Sequence, residues 1–174
     1  WSDALKDIQS NWIGRSEGAQ IKFDLDGHDE VIEVFTTRPD TIFGVSFMVL
    51  APEHELVSKI TTAGQKVEVE KYIVVSSHRS ERERLADVKN ITGAFTGAYV
   101  KQPFSDEKIP VWIGDYVLAG YGTGAVMAVP SGDQRDWDFA NHFGLAIPPI
   151  IKGQDVSEGA EVSKDGEIIN SDFL

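Results

Sequence analysis

Two well-separated stretches hold the side chains best suited to chemistry. Thr36-Thr37-Arg38-Pro39-Asp40-Thr41-Ile42-Phe43-Gly44 gathers three hydroxyls, a cation and a carboxylate into one turn after an apolar strand. Gly122-Thr123-Gly124-Ala125-Val126-Met127-Ala128-Val129-Pro130-Ser131-Gly132-Asp133-Gln134-Arg135-Asp136 runs a glycine-rich strand into an acidic helix start. Small hydroxyls facing an acidic helix mouth suit a ligand that carries both a ribose and an amino group. Taken by residue type alone, Thr36, Thr37 and Thr41 favour ordinary turn chemistry, with hydroxyls bonded to local backbone. Asp133 and Asp136 likewise favour capping. The two readings are compatible, because a capping carboxylate still has an oxygen to offer a ligand.

The elements that must position these residues are legible to different degrees. Asp133 suits an N-cap and Asp136 the third helical position, where both carboxylates meet the positive end of the helix dipole. Phe139 and Phe143 then fall on one face, and Gly144 suits the left-handed residue that ends a helix. Upstream, Ile21, Phe23 and Leu25 alternate with polar residues, Asp26-Gly27 supplies a turn pair, and Val31 to Phe35 returns as the second strand of a hairpin. The threonine-rich turn closes that strand, with Pro39 stopping the ladder. Val45 to Leu50 reads as a further strand. Pro52 to Val57 reads as a helix that starts at the proline, with Leu56 and Ile60 inward. Asp7 to Ile13 reads as the end of a short helix.

Residues 66–89 are the most charged part and predict one or two helices; the alternating signs of Ser80-Glu81-Arg82-Glu83-Arg84-Leu85 favour a solvated face. Beyond Asn90, short strands between Gly and Pro breakers predict an α+β, β-rich fold: a curled sheet or β-barrel core with peripheral helices. The polar tail from Gly153 to Leu174 reads as a final β-ribbon.

Composition narrows the function classes. With 174 residues, 41% hydrophobic and 10% aromatic, the chain builds one core. It has no apolar run long enough for a membrane span and no signal-peptide pattern at its start. Without an initiator Met, it reads as a piece of a longer protein. The absence of cysteine excludes disulfides, thiolate zinc sites and a cysteine nucleophile. His28, His54, His78 and His142 share no ligand-like spacing, so no metal site is expected. A formal charge of −12 argues against gripping duplex DNA or RNA, where phosphate neutralisation dominates affinity. It leaves room for a single-stranded end delivered by other domains. Gly120-Tyr121-Gly122-Thr123-Gly124-Ala125 fits a loose dinucleotide-binding pattern, but a β-branched strand follows where that mechanism needs a helix.

Together, Thr-Thr-Arg-Pro-Asp-Thr-Ile-Phe-Gly, then Gly-Thr-Gly-Ala-Val-Met-Ala-Val-Pro and Asp-Gln-Arg-Asp, closely resemble the editing domain of leucyl-tRNA synthetase. The resemblance runs from about residue 11 to the end; isoleucyl and valyl relatives share parts of both motifs. Asp40 to Gly44 and Met127 to Pro130 look like the leucyl branch. Asn11 to Gly18 looks like the segment by which the chain enters the domain. The resemblance implies one editing domain over 1–174, with 1–16 leading in and 153–174 leading out. It implies a cytoplasmic enzyme fragment that hydrolyses the ester of tRNA(Leu) carrying isoleucine, valine, norvaline or a similar amino acid. The partners it implies are that charged 3′ end and the rest of the synthetase chain. ATP and Mg belong to the synthetic domain, whose signatures are absent, so no cofactor is expected here.

Carried over by motif position, Asp136 pairs with the substrate ammonium, and Thr36 and Thr37 bond the ribose or ester oxygens. Arg38 fixes the turn, and Thr41 obstructs the γ-branch of leucine. Tyr121, Met127 and Val129 line the pocket, and Asp133 assists near the ammonium or the cap. Many leucyl enzymes carry a histidine just before the first aspartate, where this chain has Gly132; a role for that histidine does not transfer. Two alternatives stay open: a module that binds an RNA end or a protein without chemistry, and a hydrolase using Asp133 and Asp136 as a pair. Their three-residue spacing points both carboxylates the same way, which suits that second alternative poorly.

Overall fold

Phe47-Met48-Val49-Leu50 is apolar at every position because the strand it forms is buried on both faces. Phe47 and Val49 face one core with Ala128, Phe139 and Ala140; Met48 and Leu50 face a larger one with Phe23, Ile32, Val34, Val57, Val111 and Met127. The computed structural model describes residues 1–14, 16–87, 90–105, 107–161 and 165–171. In chain order the elements are α1 (Asp3–Ile13), β1 (Ala19–Asp24), β2 (Val31–Thr36), a 3-10 turn (Pro39–Gly44) and β3 (Phe47–Leu50). Next come α2 (Glu55–Ile60), α3 (Lys66–Ser77), α4 (Glu81–Ala86), β4 (Ala94–Lys101), β5 (Lys108–Ile113), β6 (Ala125–Ala128) and α5 (Gln134–Phe143).

The main sheet has the order β4-β5-β3-β6, with β3 parallel to β5 and antiparallel to β6. The hairpin β1-β2 pairs in the expected register, with Ile21 opposite Val34 and Phe23 opposite Ile32. It lies against both outer strands, β1 beside β4 and β2 beside β6. The sheet is curled, and the barrel is not closed: among the described residues the hairpin joins the sheet through an isolated Leu25–Val100 bridge rather than a full ladder. The larger core fills the space between hairpin and sheet. Across the opposite face lies α5, whose Phe139 stacks on Phe47 at 5.0 Å and packs edge-on to Trp112 at 5.6 Å.

Three readings shift in detail. The helix after β3 begins at Glu55, not Pro52, because His54 is the N-cap and its Nδ1 accepts the Leu56 N–H at 3.2 Å. Burial lowers the pKa of that imidazole, which suits a ring that must accept a proton bond. The charged stretch does form helices, yet α4 does more than face solvent. Arg84 is buried; its Nε donates to the Asp115 carbonyl at 2.6 Å, Nη2 to the Val117 carbonyl at 2.9 Å, and Nη1 to Glu53 at 2.6 Å. Alternating charge cannot reveal that one guanidinium of the set will find two backbone carbonyls.

The tail is the third. Its β pairing among the described residues is a single Ile151–Ile168 bridge; 172–174 lie outside those residues. Side chains hold the rest. Gln154 accepts the Ile150 N–H at 2.9 Å and donates to the Ser131 carbonyl at 2.7 Å, while Trp137 Nε1 donates to the Val156 carbonyl at 2.8 Å.

Candidate active site at the mouth of α5

Helix α5 starts as its sequence predicts. Asp133 Oδ1 accepts from the Arg135 N–H at 2.9 Å and the Asp136 N–H at 3.1 Å, which satisfies two of the free donors at the helix N-terminus. Gly144 ends the helix with φ +67°, in the left-handed region. Asp133 is exposed, whereas Asp136 turns inward and is 7% exposed. Its Oδ2 accepts the backbone N–H of Val129 at 2.9 Å, tying the helix mouth to the end of β6. Burial, and then the neighbouring Asp133 charge, push its pKa from an ordinary 3.8 up to about 7; the Val129 N–H and Arg135 oppose the shift. A carboxyl so placed changes charge near neutral pH and gains most from a cation that docks against it.

The threonine turn reaches the same strand from the other side. Ser46 N–H donates to the Ala128 carbonyl at 3.1 Å. Gly44, at the end of the turn, packs so closely that a Cβ there would overlap Ile150 Cγ2 and lie 3.2 Å from Val129 Cγ1. Val129 thus has the turn against its side chain and the Asp136 carboxyl on its amide. Within the turn, Thr36 Oγ1 accepts the Arg38 N–H at 3.0 Å, and Thr41 Oγ1 donates to the Arg38 carbonyl at 2.8 Å. Arg38 and Asp40 form an ion pair at 2.7 Å that lowers the pKa of the Asp40 carboxyl. Two of the three threonine hydroxyls are therefore engaged in turn chemistry. Thr37 is exposed, and its hydroxyl makes no hydrogen bond among the described residues.

Met127 and Val129 point into the larger core and are each 8% exposed. Thr41 is 7% exposed, and Tyr121 stands out at 83%. Tyr121 belongs to a mostly apolar cleft of about 360 Å³ whose lining includes Phe35, Leu85, Tyr116, Val126 and Arg135. The cleft brings the end of β2, the glycine-rich loop and the first turn of α5 to one place. Sequence reasoning did not single out Phe35, Tyr116 or Arg135. The signal available was adjacency: Phe35 precedes Thr36, and Arg135 precedes Asp136. Arg135 lies over the Tyr116 ring, 5.5 Å from its centroid.

The glycine-rich run Gly122 to Gly124 leads into β6 and not into a helix, so it lacks the helix N-terminus that a dinucleotide pyrophosphate requires. No group of three or more His, Asp or Glu side chains arranged to hold a metal occurs among the described residues. No helix among them is long and apolar enough to cross a membrane.

A family model described as leucyl-tRNA synthetase, editing domain, matches residues 10–174. The chain belongs to that family. It is 64% identical, over its whole length, to a leucine–tRNA ligase of Christiangramia forsetii, of which it covers 18%. A leucine–tRNA ligase of Flavobacterium johnsoniae is also 64% identical over the whole chain, which covers 19% of it. Among solved structures, the Agrobacterium radiobacter K84 agnB2 LeuRS, in a ternary complex with tRNA and LeuAMS, superposes with a TM-score of 0.71 at 36% identity. That match covers 93% of this chain and 19% of the other. The chain thus spans about a fifth of the length of the relatives it matches. In this editing domain Gly44, at the end of the threonine turn, and Asp136, in the first turn of α5, both contact Val129.

Proposed function

We propose that the chain hydrolyses the ester bond of tRNA(Leu) charged with a noncognate amino acid such as isoleucine, valine or norvaline. The observation that carries this reading is the buried Asp136 carboxyl, held at the end of β6 by the Val129 N–H while the threonine turn packs on the same residue. An α-ammonium is the substrate group that this carboxyl would pair with, and the pairing orients the scissile carbonyl. Thr37, exposed and with its hydroxyl unengaged, is the threonine free to bond a ribose or ester oxygen. Thr36 acts through the shape of the turn that its hydroxyl holds, Arg38 fixes that turn through Asp40, and Thr41, held by its bond to the Arg38 carbonyl, obstructs the γ-branch of leucine. Asp133 keeps the helix mouth in register by its two amide bonds. The cleft beside Tyr121 and Arg135 would take the terminal nucleoside, with an aromatic face for a base to stack on. Met127 and Val129 shape the wall from behind.

The attacking group is water, positioned by hydroxyls and by the substrate's own free ribose hydroxyl. That step draws on no cofactor from this chain; ATP and Mg serve the synthetic part of the enzyme, in the cytoplasm. The need for such a site follows from pocket energetics. One methylene is worth only about 1–3 kcal/mol of discrimination in a hydrophobic pocket, which leaves near-isosteres of leucine to be removed afterwards.

The test is release of isoleucine from isoleucyl-tRNA(Leu) by a full-length leucine–tRNA ligase carrying this chain. No release above the spontaneous rate would leave only the binding-module reading. In the same assay Thr41→Ala is expected to admit leucine and raise hydrolysis of leucyl-tRNA(Leu) at least about tenfold. Continued protection of leucyl-tRNA(Leu) in that variant would remove the steric gate.

A further inference from the structure

The turn that displays Tyr121 is anchored from behind by His54. Gly124 N–H donates to the Tyr121 carbonyl at 3.2 Å, which closes Tyr121-Gly122-Thr123-Gly124 into a turn. Its two glycines stand at φ +61° and +68°, in the left-handed region. The last residue is pinned twice. Its carbonyl accepts the Ala51 N–H at 2.9 Å, and the half-buried His54 ring lies so close that a Cβ on Gly124 would be 3.1 Å from Cδ2. The same ring serves α2. Nδ1 accepts the Leu56 N–H at 3.2 Å, so the neutral imidazole carries its proton on Nε2, the nitrogen beside Cδ2.

On the reading of the cleft as the nucleoside site, we propose that His54 is a positioning residue for the hydrolysis. It fixes the Tyr121–Gly124 turn against the start of α2 and so holds Tyr121 at the rim of the cleft. At 83% exposure the Tyr121 side chain has little packing of its own, and the backbone of the turn sets its direction. A cap alone needs no imidazole, since serine, aspartate or asparagine serves there as well or better. Histidine caps with one nitrogen and reaches back to the turn with the other side of its ring. Burial lowers the pKa of that ring, against Glu55 and the Thr123 backbone, which raise it. The other acid beside it in sequence, Glu53, is paired with Arg84 at 2.6 Å. The neutral form that burial favours is the one the cap uses, with Nδ1 free to accept. The effect falls on KM, because what the ring steadies is a stacking partner of the nucleoside and not the group that meets the ammonium.

Two substitutions separate the cap from the turn. His54→Asn keeps an oxygen for the Leu56 N–H but is too short to reach the turn, whereas His54→Gln reaches the turn and gives up the cap. Both are placed in a full-length leucine–tRNA ligase carrying this chain. His54→Asn is expected to raise KM for isoleucyl-tRNA(Leu) about tenfold, with kcat within about twofold of the parent and the denaturant midpoint unmoved. His54→Gln should keep KM near the parental value while the midpoint falls. The reverse pattern, with KM following the cap, overturns the inference. So does an asparagine effect that persists undiminished in a Tyr121→Ala background, because His54 would then not act through that side chain. Amide exchange reads the anchor with no hydrolysis at all. The Gly124 N–H, which closes the turn, should exchange at least about tenfold faster in the His54→Asn form of the 174-residue chain. An unchanged rate overturns the inference. Should the parent enzyme release no isoleucine, faster Gly124 exchange would still uphold the anchor, and the fault would lie with the assigned reaction.

Discussion

Asp136→Asn is expected to lower kcat/KM for release of isoleucine from tRNA(Leu) by at least about a hundredfold. The same substitution should raise the melting temperature at pH 8. Asparagine keeps an oxygen for the Val129 N–H, now 2.9 Å from Oδ2, and leaves the Asp133 cap untouched. What it removes is the charge that would meet the substrate ammonium. The stability effect follows from the carboxyl's displacement from 3.8 to about 7 by burial and by Asp133. As pH rises from about 4 to about 7, the unfolded chain releases this proton while the folded chain retains it. Folding stability therefore falls across that window and levels off above it. The asparagine variant has no such loss, so its melting temperature should converge on the parent's toward pH 4 and exceed it toward pH 8. Activity runs the other way: parental kcat/KM should climb as pH passes about 7 and the carboxylate forms. The variant should lack that inflection. Equal turnover in variant and parent would end the assignment, whatever the melting curves show.

Arg84→Met should destabilise the fold by about 3–5 kcal/mol, read from the denaturant midpoint. Its side chain is 4% exposed, and its three donor groups reach Glu53 and the carbonyls of Asp115 and Val117. Methionine fills much of the volume and satisfies none of these acceptors, two of which are backbone groups without easy access to water. Arg82, two residues earlier and exposed, is the control, and Arg82→Met should leave the midpoint where it is. A loss at Arg84 under about 1 kcal/mol would show that the loop from Asp115 to Val117 is held by something else. The functional interest is positional, since that loop supplies Tyr116 and Val117 to the cleft beside Arg135.

The sequence carried much of this organisation, and the places where it fell short share a physical cause. The hairpin and α5 were legible because their signals are local: alternation around Asp26-Gly27, a capping aspartate, two phenylalanines one turn apart and a terminal glycine. The threonine turn was legible as a turn, and Thr36 and Thr41 do bond its backbone. Long-range partners were not. Nothing local to Asp136 says that its carboxyl will turn back to the Val129 amide, or that Gly44 will press on Val129 from the other side. Arg84 sits in a run of alternating charge that describes a wet helix face equally well. Helix α2 misleads through Pro52, because a histidine is a rare cap and the proline two residues earlier is the louder signal. The curled sheet was legible, whereas the way its seam is joined was not. Short strands between breakers fit a cylinder, but sequence does not say whether the last seam will be stitched by a ladder or by one bridge.

Gln154 gives the domain a mechanical linkage. One amide grips the extended run at Ile150 with its oxygen and the loop before α5 at Ser131 with its nitrogen. The same stretch is tied to α5 again by Trp137 Nε1, which donates to the Val156 carbonyl, and by Gln134, whose Oε1 accepts the Ala160 N–H. The strap after Ile150 and the entrance to α5 therefore share their anchoring bonds, and loss of the Gln154 amide would loosen both at once.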